Sequence, residues 1–198
     1  MRITGIILCG PPASGKSTVT GALHELDPRF VLARSLVVGD DHADDHDQVT
    51  HEQVERLRAA GRIIADTRRD GNRYVIDRHP IEHIAQAGLV PVVHVGSSRD
   101  VEGLSVMGEW VRVLLVTPPE IRRERLRRRA DDAGGPRLRG RQDAVGAVPP
   151  AADLRFHLRI ATNVTPAEHA AREIADAFVA ASRLARRRVA VGPVSGAG

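Results

Sequence analysis

Two short stretches hold the residue types and spacings from which chemistry can be built. The first, Gly10-Pro11-Pro12-Ala13-Ser14-Gly15-Lys16-Ser17, satisfies G-x-x-x-x-G-K-[ST] in full. Its glycines let the backbone wrap so that successive N–H groups point at a phosphate, and a helix starting there adds its positive end. In such a loop Lys16 reaches the β- and γ-phosphates and Ser17 ligates Mg2+, so the motif predicts binding of a nucleoside triphosphate with magnesium. Lys16 is also the only lysine of the chain, every other basic side chain being arginine. A compact ammonium fits where a planar guanidinium fork does not.

The second stretch, Val38-Gly-Asp-Asp-His-Ala-Asp-Asp-His-Asp47, places five aspartates and two histidines within ten residues. Its residue types admit four readings. Asp40 or Asp41 could orient or deprotonate a hydroxyl that accepts a phosphoryl group. Either could instead hold a magnesium water. His42 and His46, at i and i+4, would face one way on a helix and could ligate a transition metal, although Gly39 and the charge alternation favour a loop. The last reading is a solvated acidic loop.

The elements around these stretches follow from hydrophobic pattern. Ile3–Cys9 is an apolar, β-branched run of the kind that forms a buried parallel strand, and it enters the glycine loop directly. Val19, Leu23 and Leu26 then line the inner face of a helix. Phe30–Val38 reads as a second strand, and Thr50–Ala60 as a helix with Thr50 and Gln53 in capping-box spacing. Arg62–Asp66 and Arg73–Asp77 flank the turn at 70–72. A helix over Pro80–Ala87, strands Val90–Val95 and Val111–Val116, an arginine-rich helix Pro119–Arg129, a strand Arg155–Ala161 and a helix Pro166–Arg188 complete the pattern. Strands alternating with helices predict an α/β fold with a parallel sheet. The Gly-, Pro- and Arg-rich segment 131–150 is a candidate lid, and 184–198 a basic, flexible tail.

Composition narrows the class. With 198 residues, 42% hydrophobic and 27% charged, one globular domain over about 1–183 is expected. A single cysteine, Cys9, excludes a disulfide framework, and the apolar runs fall short of the roughly 20 residues of a membrane span. No signal-peptide pattern is present, so a cytoplasmic protein is expected. Aromatic residues, at 3%, are too few to provide stacking platforms for single-stranded nucleic acid. The expected partner is a small molecule, with neither nucleic acid nor membrane involved and a homodimer as an option.

Three later segments carry a resemblance. Gly71–Val93 (GNRYVIDRHPIEHIAQAGLVPVV), Val113–Arg129 (VLLVTPPEIRRERLRRR) and Ile160–Ile174 (IATNVTPAEHAAREI) follow the phosphate loop in an order and spacing that resemble guanylate kinase-like P-loop kinases. Gly96-Ser-Ser-Arg99 is similar to the close relatives that phosphorylate ribose 1,5-bisphosphate. The likeness spans about residues 3–180. It implies a P-loop NTPase fold with an acceptor-binding insertion over about 31–74 and a lid over about 131–150. It also implies ATP or GTP as donor with Mg2+, and assigns Lys16, Ser17 and Thr18 to the donor loop. Arg125 falls at a helix arginine near the adenine, Asn163 beside the donor base, and Arg137, Arg139 or Arg141 at lid arginines on the transferred phosphoryl. Tyr74 matches a turn tyrosine on the acceptor phosphate.

The chain departs from that pattern on the acceptor side. Two arginines that would hold the phosphate of GMP are replaced by VVGDDHADD, and the acidic residues that would read guanine fall at about Ala65 and Ser97. A phosphate acceptor is already ionised and needs cations, whereas a hydroxyl must lose a proton and favours an aspartate. The exchange therefore predicts a kinase acting on a hydroxyl of a nucleoside, nucleotide-like or sugar metabolite, as in a specialised pathway of the nucleoside-antibiotic type. Lys16, Asp40, Asp41, Arg137 and Arg141 are the expected catalytic residues, and Arg34, Arg73, Tyr74, Ser98 and Arg99 the expected acceptor contacts. The alternative is a nucleoside-monophosphate or ribose 1,5-bisphosphate kinase reading its phosphate through Arg34, Arg68, Arg73 and Arg99. A non-catalytic binding module would not need the complete phosphate loop. Asp77 is expected to cap a helix rather than act as a base, and His94 and Cys9 to be core residues.

Overall fold

The fold, taken from a computed structural model, is described for residues 3–39, 45–69, 71–132 and 154–190. The unbroken apolar run Ile3–Cys9 forms β1 at the centre of a parallel sheet. Its neighbours are two further largely apolar runs, Val90–Val95 (β7) and Glu109–Val116 (β8), with Phe30–Leu32 (β2) and Leu158–Ala161 (β9) outside them. The order is β2-β7-β1-β8-β9. Because alternate strand residues face opposite ways, Ile6 and Leu8 of β1 pack with Val19, Leu23, Ala170 and Ile174. Ile7 and Cys9 pack on the opposite face with Ile76, Ile81, Val101 and Leu104. Each of these buried Val, Leu and Ile side chains contributes about 1.5–3 kcal/mol.

Helices cover both faces. Lys16–Leu26 (α1) and Ala167–Ala190 (α6) supply the first set of partners, while Arg78–Gln86 (α3) and Ser98–Ser105 (α4) supply much of the second. Pro119–Asp132 (α5) follows β8. Thr50 and Gln53 form the expected capping box on His51–Ala59 (α2), and Asp77 caps α3 through the His79 N–H.

The expected strand Phe30–Val38 is in fact two strands in two sheets. Ala33 still donates to the Val92 carbonyl of the core sheet, but Ser35–Val38 (β3) joins a second sheet of order β4-β3-β6-β5. That sheet contains His46–Gln48 (β4), Ile63–Arg69 (β5) and Asn72–Asp77 (β6). β3 pairs antiparallel with β6 and β6 with β5, whereas β4 runs parallel to β3 with Ser35 opposite His46. The acidic stretch therefore ends in a strand, β4, that pattern reading did not predict, and α4 was likewise not predicted. The last strand also begins later than expected, at Leu158. The candidate lid from residue 133 onward and the tail beyond residue 190 lie outside the described residues.

Candidate active site

The glycine loop links the end of β1 to the start of α1, as its sequence requires. Gly10 donates its N–H to Val95 of β7 at 3.2 Å, and Ser14 donates to the Pro11 carbonyl at 3.2 Å. Ala13 (φ 60°) and Gly15 (φ 94°) take left-handed backbone conformations, so the chain curls on itself. A Cβ on Gly10 would approach the Ser14 Oγ to 2.5 Å, which requires glycine there. Gly15 is the N-cap of α1 and provides no side-chain cap. The first N–H groups of α1 thus lack a side-chain acceptor, and they carry the positive end of the helix dipole. The Lys16 Nζ donates to the carbonyls of Gly10 (2.9 Å) and Pro11 (3.2 Å), arching over the loop. Ser17 and Thr18 are exposed at the helix start, and the Ser14 Oγ is buried with no protein partner. Uncapped donors, an ammonium held across a glycine cradle and an adjacent hydroxyl fit a magnesium–nucleoside triphosphate.

Beneath the loop, Thr162 acts as a latch. Its hydroxyl donates to the Ser14 carbonyl at 2.8 Å, lies 2.7 Å from the Thr117 Oγ1 and accepts from Arg125 Nη1 at 3.2 Å. The Arg125 guanidinium also donates to the carbonyls of Ala13 (3.1 Å) and Thr162 (2.8 Å). Arg125 therefore grips the rear of the loop from α5. Asn163, on the same turn, is exposed.

The acidic stretch reaches the loop through Asp45. Its Oδ2 accepts from His94 Nδ1 at 3.0 Å, and the His94 Nε2 lies 2.7 Å from Thr20 Oγ1, one helical turn beyond Lys16. Asp45 is half-buried and His94 buried. Burial alone would raise the Asp45 pKa. The His94 hydrogen bond and the nearby positive charges of His46 and Lys16 outweigh it and hold the carboxyl well below the usual range. Burial is also the main influence on His94, and the Lys16 and His46 charges add to it. Asp45 pulls the other way, and the net direction is downward, so the imidazole is neutral. His46 sits 3.7 Å from Asp45 and meets the Tyr74 ring edge-on.

Beside this trio lie the ends of β5 and β7. The Arg69 guanidinium stacks 4.9 Å from the Tyr74 ring centroid and passes so close to Gly96 that a Cβ there would run into it. Ser97 and Asp100 form a capping box on α4. Burial raises the Asp100 pKa against the pull of the Ser97 and Gly96 hydrogen bonds and of the Arg69 charge. Ser98 is half-buried at the first position of that helix, and Arg99 is exposed.

The expected site residues are thus distributed unevenly. Gly10 to Thr18 form the loop, Arg125 grips it, and Tyr74 and Ser98 stand near the β5 and β7 ends. Arg73 is buried and engaged in an ion network, donating to Asp66 at 2.8 and 3.0 Å and to Glu55 at 2.9 Å. Arg34 pairs with Asp47 at 2.8 Å, and Arg68 is exposed. Asp40, Asp41, His42, Arg137, Arg139 and Arg141 lie outside the described residues. Among the described residues no group of three or more His, Cys, Asp or Glu side chains could hold a metal ion. Sequence reasoning missed Asp45, His94, Thr20, Arg69 and Thr162 as site residues. An isolated histidine at the end of an apolar strand was the one available signal.

The geometry has relatives. The family model described as an AAA domain matches residues 6–144. Ribose 1,5-bisphosphate phosphokinase PhnN from Rhodopseudomonas palustris (strain ATCC BAA-98 / CGA009) is 31% identical over 134 residues, 66% of this chain and 69% of that protein. Guanylate kinase from Anaplasma phagocytophilum superposes with a TM-score of 0.57 at 21% identity, over 92% of this chain and 88% of its own. An unliganded sugar kinase from Janibacter sp. HTCC2649 superposes with a TM-score of 0.52 at 14% identity, over 92% and 98%. Among the described residues no helix is long and apolar enough to cross a membrane.

Proposed function

We propose, for a chain that belongs to the AAA domain family and is a P-loop phosphotransferase of the guanylate kinase-like type, that it transfers the γ-phosphoryl of ATP or GTP to a hydroxyl. The acceptor would be a nucleoside, nucleotide-like or sugar metabolite. P-loop kinases use a nucleoside triphosphate with Mg2+, which neutralises charge on the transferred phosphoryl when bound. Here the loop N–H groups and Lys16 would hold the donor phosphates, Ser17 would supply the hydroxyl toward the metal, and Arg125 would keep the loop in shape from behind.

The observation that carries the hydroxyl reading is Asp45. It is an ionised, half-buried carboxylate fixed by His94 and close enough to Lys16 for the ammonium to stabilise its charge. A carboxylate with so low a pKa is a weak base, and a weak base suffices. In a loose phosphoryl-transfer transition state the acceptor proton leaves late, so the carboxylate need only orient the hydroxyl and receive that proton as the O–P bond forms. The Asp45 position thus takes the role expected of Asp40 or Asp41. Arg69, Tyr74, Ser98 and Arg99 would line the rest of the acceptor site.

A second reading is favoured by one observation, the 31% identity to the ribose 1,5-bisphosphate phosphokinase. On that reading Arg69 and Arg99 steady an acceptor phosphate and Asp45 serves only the metal. Phosphoryl transfer from Mg·ATP separates the two, using a panel of nucleosides, nucleoside monophosphates, ribose 1,5-bisphosphate and other sugar phosphates, with products read by mass and 31P NMR. A new phosphomonoester supports the first reading and a new phosphoanhydride the second. Lys16→Ala is expected to abolish transfer in both cases, and retained turnover would refute the mechanism.

A further inference from the structure

Among the described residues, Asp45 is held to the active site by a hydrogen bond from a distant element. β4, which follows it, pairs only with β3, and besides His46 at 3.7 Å the partner held at hydrogen-bond distance is His94 of β7. His94 in turn meets Thr20 of α1, on the face of the helix that carries Lys16 one turn earlier. Three segments separated by 25 and 49 residues in the chain are therefore tied at one imidazole.

The hydrogen-bond roles along this tie are fixed by chemistry. An ionised carboxylate only accepts, so Nδ1 must carry the proton. A neutral imidazole then has Nε2 free as an acceptor, and the Thr20 hydroxyl donates to it. The Nε2–H tautomer would leave two acceptors facing each other at 3.0 Å in a buried place.

We propose that His94 is a positioning residue for phosphoryl transfer. It is a neutral Nδ1–H imidazole that holds the Asp45 carboxylate at the edge of the P-loop and is itself indexed to α1 by Thr20. The inference rests on the reading that Asp45 meets the acceptor hydroxyl, and it adds that the geometry of that meeting is set through β7 and α1. Without the imidazole, the carboxylate loses the hydrogen bond that fixes its orientation, and misplacement by about 1 Å costs about 100-fold in rate.

The test combines kinetics with imidazole NMR on the full chain. With Mg·ATP and the panel acceptor that is turned over fastest, His94→Leu lowers kcat by about 10- to 100-fold and leaves the KM for ATP within about threefold. His94→Asn, whose amide N–H can replace Nδ1–H, recovers most of kcat. A merely structural histidine would give no such rescue, because Asn fills the core less well than Leu. In 15N-labelled protein the His94 imidazole shows the Nδ1–H tautomer near neutral pH, and Thr20→Val shifts the Nε2 signal while Nδ1–H persists. The inference is overturned if His94→Leu keeps the wild-type kcat, if Asn is no better than Leu, or if the tautomer is Nε2–H. Should His94→Leu fail to fold, the Asn variant and the tautomer decide. Asp45→Asn separates the two claims. Full turnover in Asp45→Asn refutes the acceptor reading, whereas loss of turnover there with full activity in His94→Leu refutes only the positioning role.

Discussion

Replacing Thr162 by valine removes one hydroxyl from beneath the P-loop at nearly constant volume. That hydroxyl spends its proton on the Ser14 carbonyl (2.8 Å) and receives Thr117 (2.7 Å) and Arg125 (3.2 Å) on its lone pairs. Valine thus deletes three hydrogen bonds, each worth about 0.5–1.5 kcal/mol net, and leaves the Ser14 carbonyl short of a donor. Two compensations exist. The Thr117 hydroxyl already lies 3.5 Å from that carbonyl and can turn toward it. The Arg125 Nη1 keeps its bond to Ala13. The net cost is therefore set at about 2 kcal/mol, which for a chain of this size lowers Tm by about 4–8 °C. Thr162→Ser retains the hydroxyl and is expected to lose less than half as much. Calorimetry measures Tm, and titration of Mg·ATP measures the affinity of the loop, which should weaken in the valine variant. A valine variant with unchanged Tm and ATP affinity would refute the latch.

Further expectations follow from neighbouring features. Gly96→Ala displaces the Arg69 guanidinium, and because the obstacle is the end of a flexible side chain the stability loss stays within about 1 kcal/mol. The acceptor KM should rise with the ATP KM unchanged, and an unchanged acceptor KM would remove Arg69 from the acceptor site. Burial pushes the Cys9 thiol up to about 11 against the pull of the Lys16 charge, so iodoacetamide should leave it unmodified at neutral pH until the chain is unfolded in urea, as mass spectrometry would show. Burial holds the His94 pKa below its ordinary 6.5, so the unfolded chain binds a proton that the folded chain refuses. Stability from this source is full above about pH 6.5 and falls as pH drops through the folded value. The Asp45 pKa is depressed as well, but as a carboxyl its contribution is full above about pH 4 and is lost only as pH falls below that. Tm should therefore fall between pH 7 and 5, and less in His94→Asn; His157, lowered by burial too, keeps its share in both proteins. Equal slopes in the two would refute the assignment.

What was legible in the sequence was local. The phosphate loop is a contiguous motif whose glycines, lysine and serine each have one mechanical use, and the structure curls it between β1 and α1 with Lys16 held to the Gly10 and Pro11 carbonyls. The apolar runs of β1, β7 and β8 and the Thr50/Gln53 box are also local patterns. Asp77 is a similar case, since its position before a helical run announced a cap. The rest was hidden where distant segments cooperate. Asp45 is one of five aspartates in its stretch, and its partner lies 49 residues away. His94 looked like a core histidine and is one, yet both its nitrogens serve polar partners. Thr162 carries no signal at all, because its role depends on β9 ending beneath the loop. Arg73 looked available to an acceptor, but Asp66 and Glu55 engage its donors. The run Phe30–Val38 is apolar on both sides of Arg34 and Ser35, and hydrophobicity does not reveal that a chain leaves one sheet for another.

That departure has a mechanical consequence. Between Ala33, still bonded to β7, and Ser35, already paired in the second sheet, only Arg34 has a backbone bound to neither. On the other side the second sheet returns through β6 to α3 at the capped Asp77, with no loop between them. The smaller sheet therefore has little slack, and it can tilt against the core only through torsions at these two crossings. Because Asp45 leads into that sheet while His94 ties it to the core, a tilt at these crossings falls on the Asp45–His94 contact. Substitutions at Arg34, which pairs with Asp47, would then tune turnover as a fulcrum tunes a lever.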